Sequence, residues 1–163
     1  MTRLPSRWLV YGSLVSSLLV LVVPLPAGVD LARPYLLAIL LCYWLLEAPD
    51  QVGLGVAFIA GFSADLVSGT LLGEQALRLV VLAFLVQRFR ARLRFFPLWQ
   101  QALAVFALLL NDRLIAMAIR VASGDGVAPW GTWVSPLVGF ALWPWLFLLL
   151  DEVRLRLRER ERG

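Results

Sequence analysis

The chain has no lysine and no histidine, and its one cysteine is Cys42. Without histidine it lacks the usual general base, proton relay and metal ligand. Zinc-hydrolase motifs with paired histidines are excluded, as is a Ser–His pair; without lysine so is a Ser–Lys pair. Nothing resembles a P-loop or a dinucleotide fingerprint. Cys42 has no partner for an internal disulfide and, inside an apolar run, reads as a small core residue. Charge is scarce too. Only 16% of the 163 residues are charged, against about 25% in a soluble domain.

Hydrophobic residues dominate instead, at 61%, and the mean hydropathy is +0.82. This composition predicts an all-α integral membrane protein with too little polar sequence for a separate soluble domain. The apolar runs predict a single bundle of about six transmembrane helices, near residues 8–24, 34–47, 52–68, 73–88, 98–120 and 130–150, followed by a basic tail at 151–163. The first run follows Arg3 and Arg7 as a signal peptide would, but no small-x-small site follows, so it reads as an uncleaved span with Trp8 and Tyr11 at the interface. Ser13, Ser16 and Ser17 read as bonded back to their own helix. A loop with Asp30 and Arg33 precedes the second run, which opens at Pro34 and is short for a span of about 20 residues. Tyr43 and Trp44 mark its far interface, Ser68-Gly69-Thr70 a turn, and Pro144 an expected kink.

All 15 basic residues are arginines, and eleven of them fall at the N-terminus, in the loop after the fourth run and in the tail. The loop cluster is Arg88, Arg90, Arg92 and Arg94. The positive-inside rule then places both termini in the cytoplasm. A five-span arrangement with a re-entrant hairpin would spoil that separation. Topology also accounts for the net charge of +4 without nucleic acid. The cluster and tail suit anionic lipid or a cytoplasmic partner.

The most informative stretch runs from Gly53 to Gly73. Gly53, Ala57, Gly61, Asp65 and Gly69 are spaced by fours, which in a helix makes one stripe drifting about 40° per step. Small residues on a stripe let another helix approach closely. The stripe is therefore a groove for a partner's helix or for the chain's own bundle. Asp65, Asp112 and Arg113 are intramembrane charges. Each costs about 2.5–3.5 kcal/mol at the helix centre on insertion scales and is expected to face protein or water. Asp65 is expected either to bond to a neighbouring helix or to serve a ligand, proton or partner, and Arg113 is a candidate counter-ion for it. Glu74 and Arg78 form an i,i+4 pair suited to an exposed first turn. The one catalytic pairing available is an Asp65–Asp112 dyad sharing a proton, and Arg113 beside Asp112 argues against it.

Several motifs resemble the MreD family of rod shape-determining proteins. They are Arg33-Pro34, Tyr43-Trp44 before Pro49, Gly61 with Asp65-Leu66 and Ser68-Gly69, then Leu98-Trp99-Gln100-Gln101-Ala102-Leu103, and Leu142-Trp143-Pro144-Trp145-Leu146-Phe147. Asn111-Asp112-Arg113 departs from that pattern. The resemblance implies a multi-pass inner-membrane subunit of the wall-elongation complex, without enzymatic activity or cofactor. Its implied partners are an MreC-like protein, the actin-like MreB, a RodA-like glycosyltransferase and its class B transpeptidase. The implied fold is similar to the six-helix substrate-binding subunits of vitamin transporters. Three functions follow: a non-enzymatic scaffold, a small-molecule-binding or transporter-like subunit with Asp65 and Asp112–Arg113 lining a cavity, and a carboxylate protease. The first is the expectation; no internal repeat supports a stand-alone transporter.

Overall fold

The computed structural model describes residues 7–24, 26 and 35–160. Among them are six α-helices and no strand: α1 (Arg7–Val22), α2 (Leu36–Glu47), α3 (Leu54–Ser68), α4 (Glu74–Leu93), α5 (Leu98–Ala122) and α6 (Val134–Arg160), the last preceded by a 3-10 turn, Trp130–Trp133. The expectations placed on Arg3, Asp30, Arg33, Pro34 and Arg162 lie outside the described residues.

The bundle is built around its shortest helix. From Leu37 to Leu46 every residue of α2 is buried, and α2 packs against α1, α4, α5 and α6. A helix that is apolar all round can be satisfied only by being enclosed. Its brevity is therefore that of a hub. Tyr43 and Trp44, expected at an interface, are wholly buried, with ring centroids 5.0 Å apart and edge to face. These aromatics are enclosed by neighbouring helices and are not exposed at the bundle surface. Cys42 is buried beside them, as expected. α1 applies one face, Val10, Leu14 and Ser17, at helical spacing. Its three serines donate to carbonyls three residues back. Ser13 also accepts from the Trp44 indole N–H at 2.7 Å, which ties α1 to α2.

α3 and α4 make the most extensive helix pair. The middle of the small-residue stripe faces inward: Ala57, Gly61 and Asp65 are buried, with Ala60 and Ala64 beside them. A Cβ built on Gly61 would lie 2.5 Å from the Cα of Ala76, so α4 occupies the groove and the backbones nearly touch. Gly53 is half-buried and Gly69 exposed. Gly69 (φ 64°) ends α3 and Gly73 (φ 93°) precedes α4. Both turns need the left-handed conformation that only glycine takes readily.

One end of the bundle gathers the basic segments. Arg90 Nε donates to the Leu46 carbonyl at 3.1 Å, at the C-terminus of α2, where cations are favoured. Arg154 reaches Glu47 at 2.5 Å. Burial works against the Arg154 charge, and the hydrogen bond and charge of Glu47 outweigh it, leaving its pKa above the ordinary value. Arg88, Arg92 and Arg94 are exposed at the same end. α6 continues unbroken through Pro144 and on to Arg160, so most of the expected tail is a helical extension.

Two stretches, Leu98–Ala122 and Trp130–Arg160, are long and apolar enough to cross a membrane. α1, α2 and α3 are apolar but have 16, 12 and 15 residues.

The Gly61 contact makes a prediction. Gly61→Leu must push α3 off α4, at a cost of about 1–3 kcal/mol or more. The purified chain in detergent should melt at a clearly lower temperature than wild type. An unchanged melting curve would mean that the two backbones do not meet at Ala76.

Candidate functional site

The end opposite the basic segments holds most of the buried polar residues, Gln101 at the basic end apart. Asp65 is 1% exposed and projects from the last turn of α3 toward the start of α4. Its Oδ1 accepts from the Gln75 amide at 2.9 Å and the Thr70 hydroxyl at 3.0 Å. Its Oδ2 accepts from the amides of Gly73 at 2.9 Å and Ala76 at 3.4 Å. The first amides of a helix have no partner within it, and the helix dipole favours negative charge there. Asp65 is thus an N-terminal cap for α4 donated by a different helix. The Gly61 approach and the two left-handed glycines bring that carboxylate within reach.

Gln75 extends the network. Its side-chain amide donates to Ser68 at 3.2 Å and Thr70 at 3.4 Å, and its Oε1 accepts from the Tyr35 hydroxyl at 2.7 Å. The Arg78 guanidinium lies 5.3 Å from the centre of the Tyr35 ring, within cation–π range.

Arg78 is 8% exposed, so the first turn of α4 is not the exposed one expected. It does meet Glu74, at 3.4 Å. Its main partner is Asp112 of α5: Nε donates to Oδ1 at 2.9 Å and Nη2 to Oδ2 at 2.5 Å. This two-pronged arrangement is the strong form of a carboxylate–guanidinium bond. Asp112 sits on the buried stripe Ala102–Val105–Leu109–Asp112, whose 3.6-residue period aims it at α4. Arg113, one position on, instead donates from Nη2 to the Ser135 hydroxyl of α6 at 2.9 Å.

These contacts correct the expected pairing. Asp65 and Arg113 are not partners: Asp65 is taken by amides and a hydroxyl, Arg113 by Ser135, and Asp112 by Arg78 rather than its chain neighbour. Asp65 and Asp112 also have separate partners, so the geometry provides no shared-proton dyad. Sequence reasoning missed Gln75, Tyr35, Ser135 and the inward turn of Arg78. For Arg78 a signal existed, because Gln75, Arg78, Leu79 and Leu82 lie on the buried face of α4.

Above the network is a cavity of about 580 Å³. Arg78 and Arg113 lie at its floor and Arg120 toward its mouth, with Glu74 and Asp125 as acids and Leu71, Leu72, Met117 and Trp133 as apolar walls. Among the described residues, no group of three or more His, Cys, Asp or Glu is placed to hold a metal ion.

A family model described as rod shape-determining protein MreD matches residues 2–153. A rod shape-determining protein MreD from Haemophilus influenzae is 28% identical over 158 residues, covering 96% of this chain and 98% of that protein. No solved structure matches significantly.

The buried ion pair generates a prediction. Asp112→Ala leaves Arg78 buried with only Glu74, and losing one partner of such a pair costs about 3–5 kcal/mol. Adding Arg78→Met to Asp112→Ala removes the stranded charge and should recover much of the loss. Denaturant unfolding of the single and double variants measures this; no recovery in the double variant would show that the pair is not the coupling.

Proposed function

The chain belongs to the MreD family of rod shape-determining proteins, and on that premise we propose that it is a non-enzymatic scaffold of the wall-elongation complex in the bacterial inner membrane. Family membership gives the role in rod shape determination; the surface supports the rest. Polar groups such as Asp65, Gln75, Arg78 and Asp112 are inside, while Ile59 is 66% exposed, Leu72 69% and Trp145 75%. Phe58, Leu66, Phe84, Leu103, Leu137 and Leu149 are exposed as well. Soluble monomers rarely expose apolar surface so extensively, whereas a bilayer requires charges to be enclosed and apolar side chains to face out.

In this reading the helices shorter than a full span are carried by their neighbours, and the bilayer thins locally around them. The basic end is cytoplasmic, and the cavity faces the periplasmic side. Scaffolding then uses the outer surface of the bundle. The small-residue stripe of α3 is filled by α4 and is not free for a partner. Of the cytoplasmic arginines, Arg90 serves the fold, and Arg88, Arg92 and Arg94 remain for anionic lipid or an actin-like MreB partner. An MreC-like protein, a RodA-like glycosyltransferase and its class B transpeptidase would contact the apolar faces.

The test is co-purification. The chain, tagged at native expression and extracted in mild detergent, should bring down an MreC-like protein and the wall synthases. Replacing Arg88, Arg92 and Arg94 with Gln should leave the melting temperature within about a degree, since surface changes typically cost under 0.5 kcal/mol, and reduce recovery of the actin-like partner. Recovery of an ATP-driven transport module without wall enzymes would sink the scaffold reading.

A further inference from the structure

We propose that the cavity over the buried ion pair is a binding site for an organic phosphate, with Arg113 as its principal anion-binding group. The argument starts from charge. Arg78 is committed, with Asp112 on two prongs and Glu74 on the third nitrogen. Arg113 is not. It is half-buried, and among the described residues it takes part in no ion pair. Its observed hydrogen bond goes to a neutral hydroxyl, Ser135. A guanidinium has five N–H donors in a rigid fork that matches a phosphate or carboxylate. A cation held at depth with most of its donors free is costly unless an anion completes it.

Position adds direction. Arg120 follows Arg113 by seven residues on α5, which is about two turns and about 10 Å along the same face. Arg120 is exposed at the rim and likewise has no ion pair among the described residues. The two place positive charge at two levels of a cavity that also holds the acids Glu74 and Asp125, Glu74 being paired with Arg78. The volume then sets the class. About 580 Å³ falls in the range of small-molecule sites and far exceeds one oxyanion. Leu71, Leu72, Met117 and Trp133 give the remainder of the ligand an apolar wall. The occupant is a phosphate carrying an apolar body. It arrives either from the outer leaflet as a phospholipid or from solution as a free organic phosphate.

Binding is measured on the full-length chain in non-ionic detergent, by melting temperature and intrinsic tryptophan fluorescence. The probes are dihexanoyl phosphatidic acid and phenyl phosphate. A saturable shift with phosphatidic acid alone supports the site with a lipid source. A shift with phenyl phosphate, with or without the lipid, supports it with a soluble source. In either case Arg113→Gln should raise the dissociation constant about tenfold or more, the loss expected for charge-assisted hydrogen bonds. Ala116→Phe, which fills the cavity and removes no charge, should abolish the shift, and it decides the question if Arg113→Gln does not fold. No saturable shift with either probe, or a shift unchanged in the two variants, overturns the proposal. Neither result bears on co-purification with wall enzymes, so the scaffold reading stands or falls separately.

Discussion

The first amides of a helix need an acceptor, and inside a bilayer there is no water to supply one. In this fold the start of α4 is buried in protein at Gln75 and Ala76, and its acceptor is a carboxylate on another helix. Much of the far end follows from that one clasp. Asp65 can reach the amides of Gly73, Gln75 and Ala76 only because Gly61 lets the α4 backbone close on α3. Once α4 is fixed there, Gln75 meets Tyr35 and Arg78 points at α5, where Asp112 receives it. A packing contact, a cap and an ion pair are successive links of one chain, and together they join α3, α4 and α5 and reach Tyr35 at the head of α2.

The two ends of the bundle use arginine differently. At the far end Arg78 is enclosed and held on two prongs by Asp112, and Arg113 is half-buried with a bond to Ser135. At the basic end Arg90 and Arg154 secure the C-terminal turn of α2, while Arg88, Arg92 and Arg94 are exposed. The absence of lysine is consistent with this division. A guanidinium makes several directed bonds at once, and an ammonium makes point contacts.

Much of this was legible in the sequence. The fours spacing around Gly61 predicted close helix packing, Ser68-Gly69-Thr70 predicted the turn, Glu74 and Arg78 predicted their pair, and Cys42 its place in the core. Periodicity shows which residues share a face of one helix; it does not show which helices are neighbours. That is why Asp65 was matched with Arg113 and why Asp112 was matched with its adjacent residue. Periodicity likewise gave no sign that Tyr43 and Trp44 would be enclosed by other helices on every side.

That enclosure has a consequence for biogenesis. A span normally leaves the translocation channel sideways, exchanging its walls for lipid. α2 is buried from Leu37 to Leu46, and of the helices that wall it α1 is made before it and α4, α5 and α6 after it. Most of its final environment therefore does not exist when it is synthesised. The second helix must wait, paired with α1 through Ser13 and Trp44, until the C-terminal half of the chain closes around it.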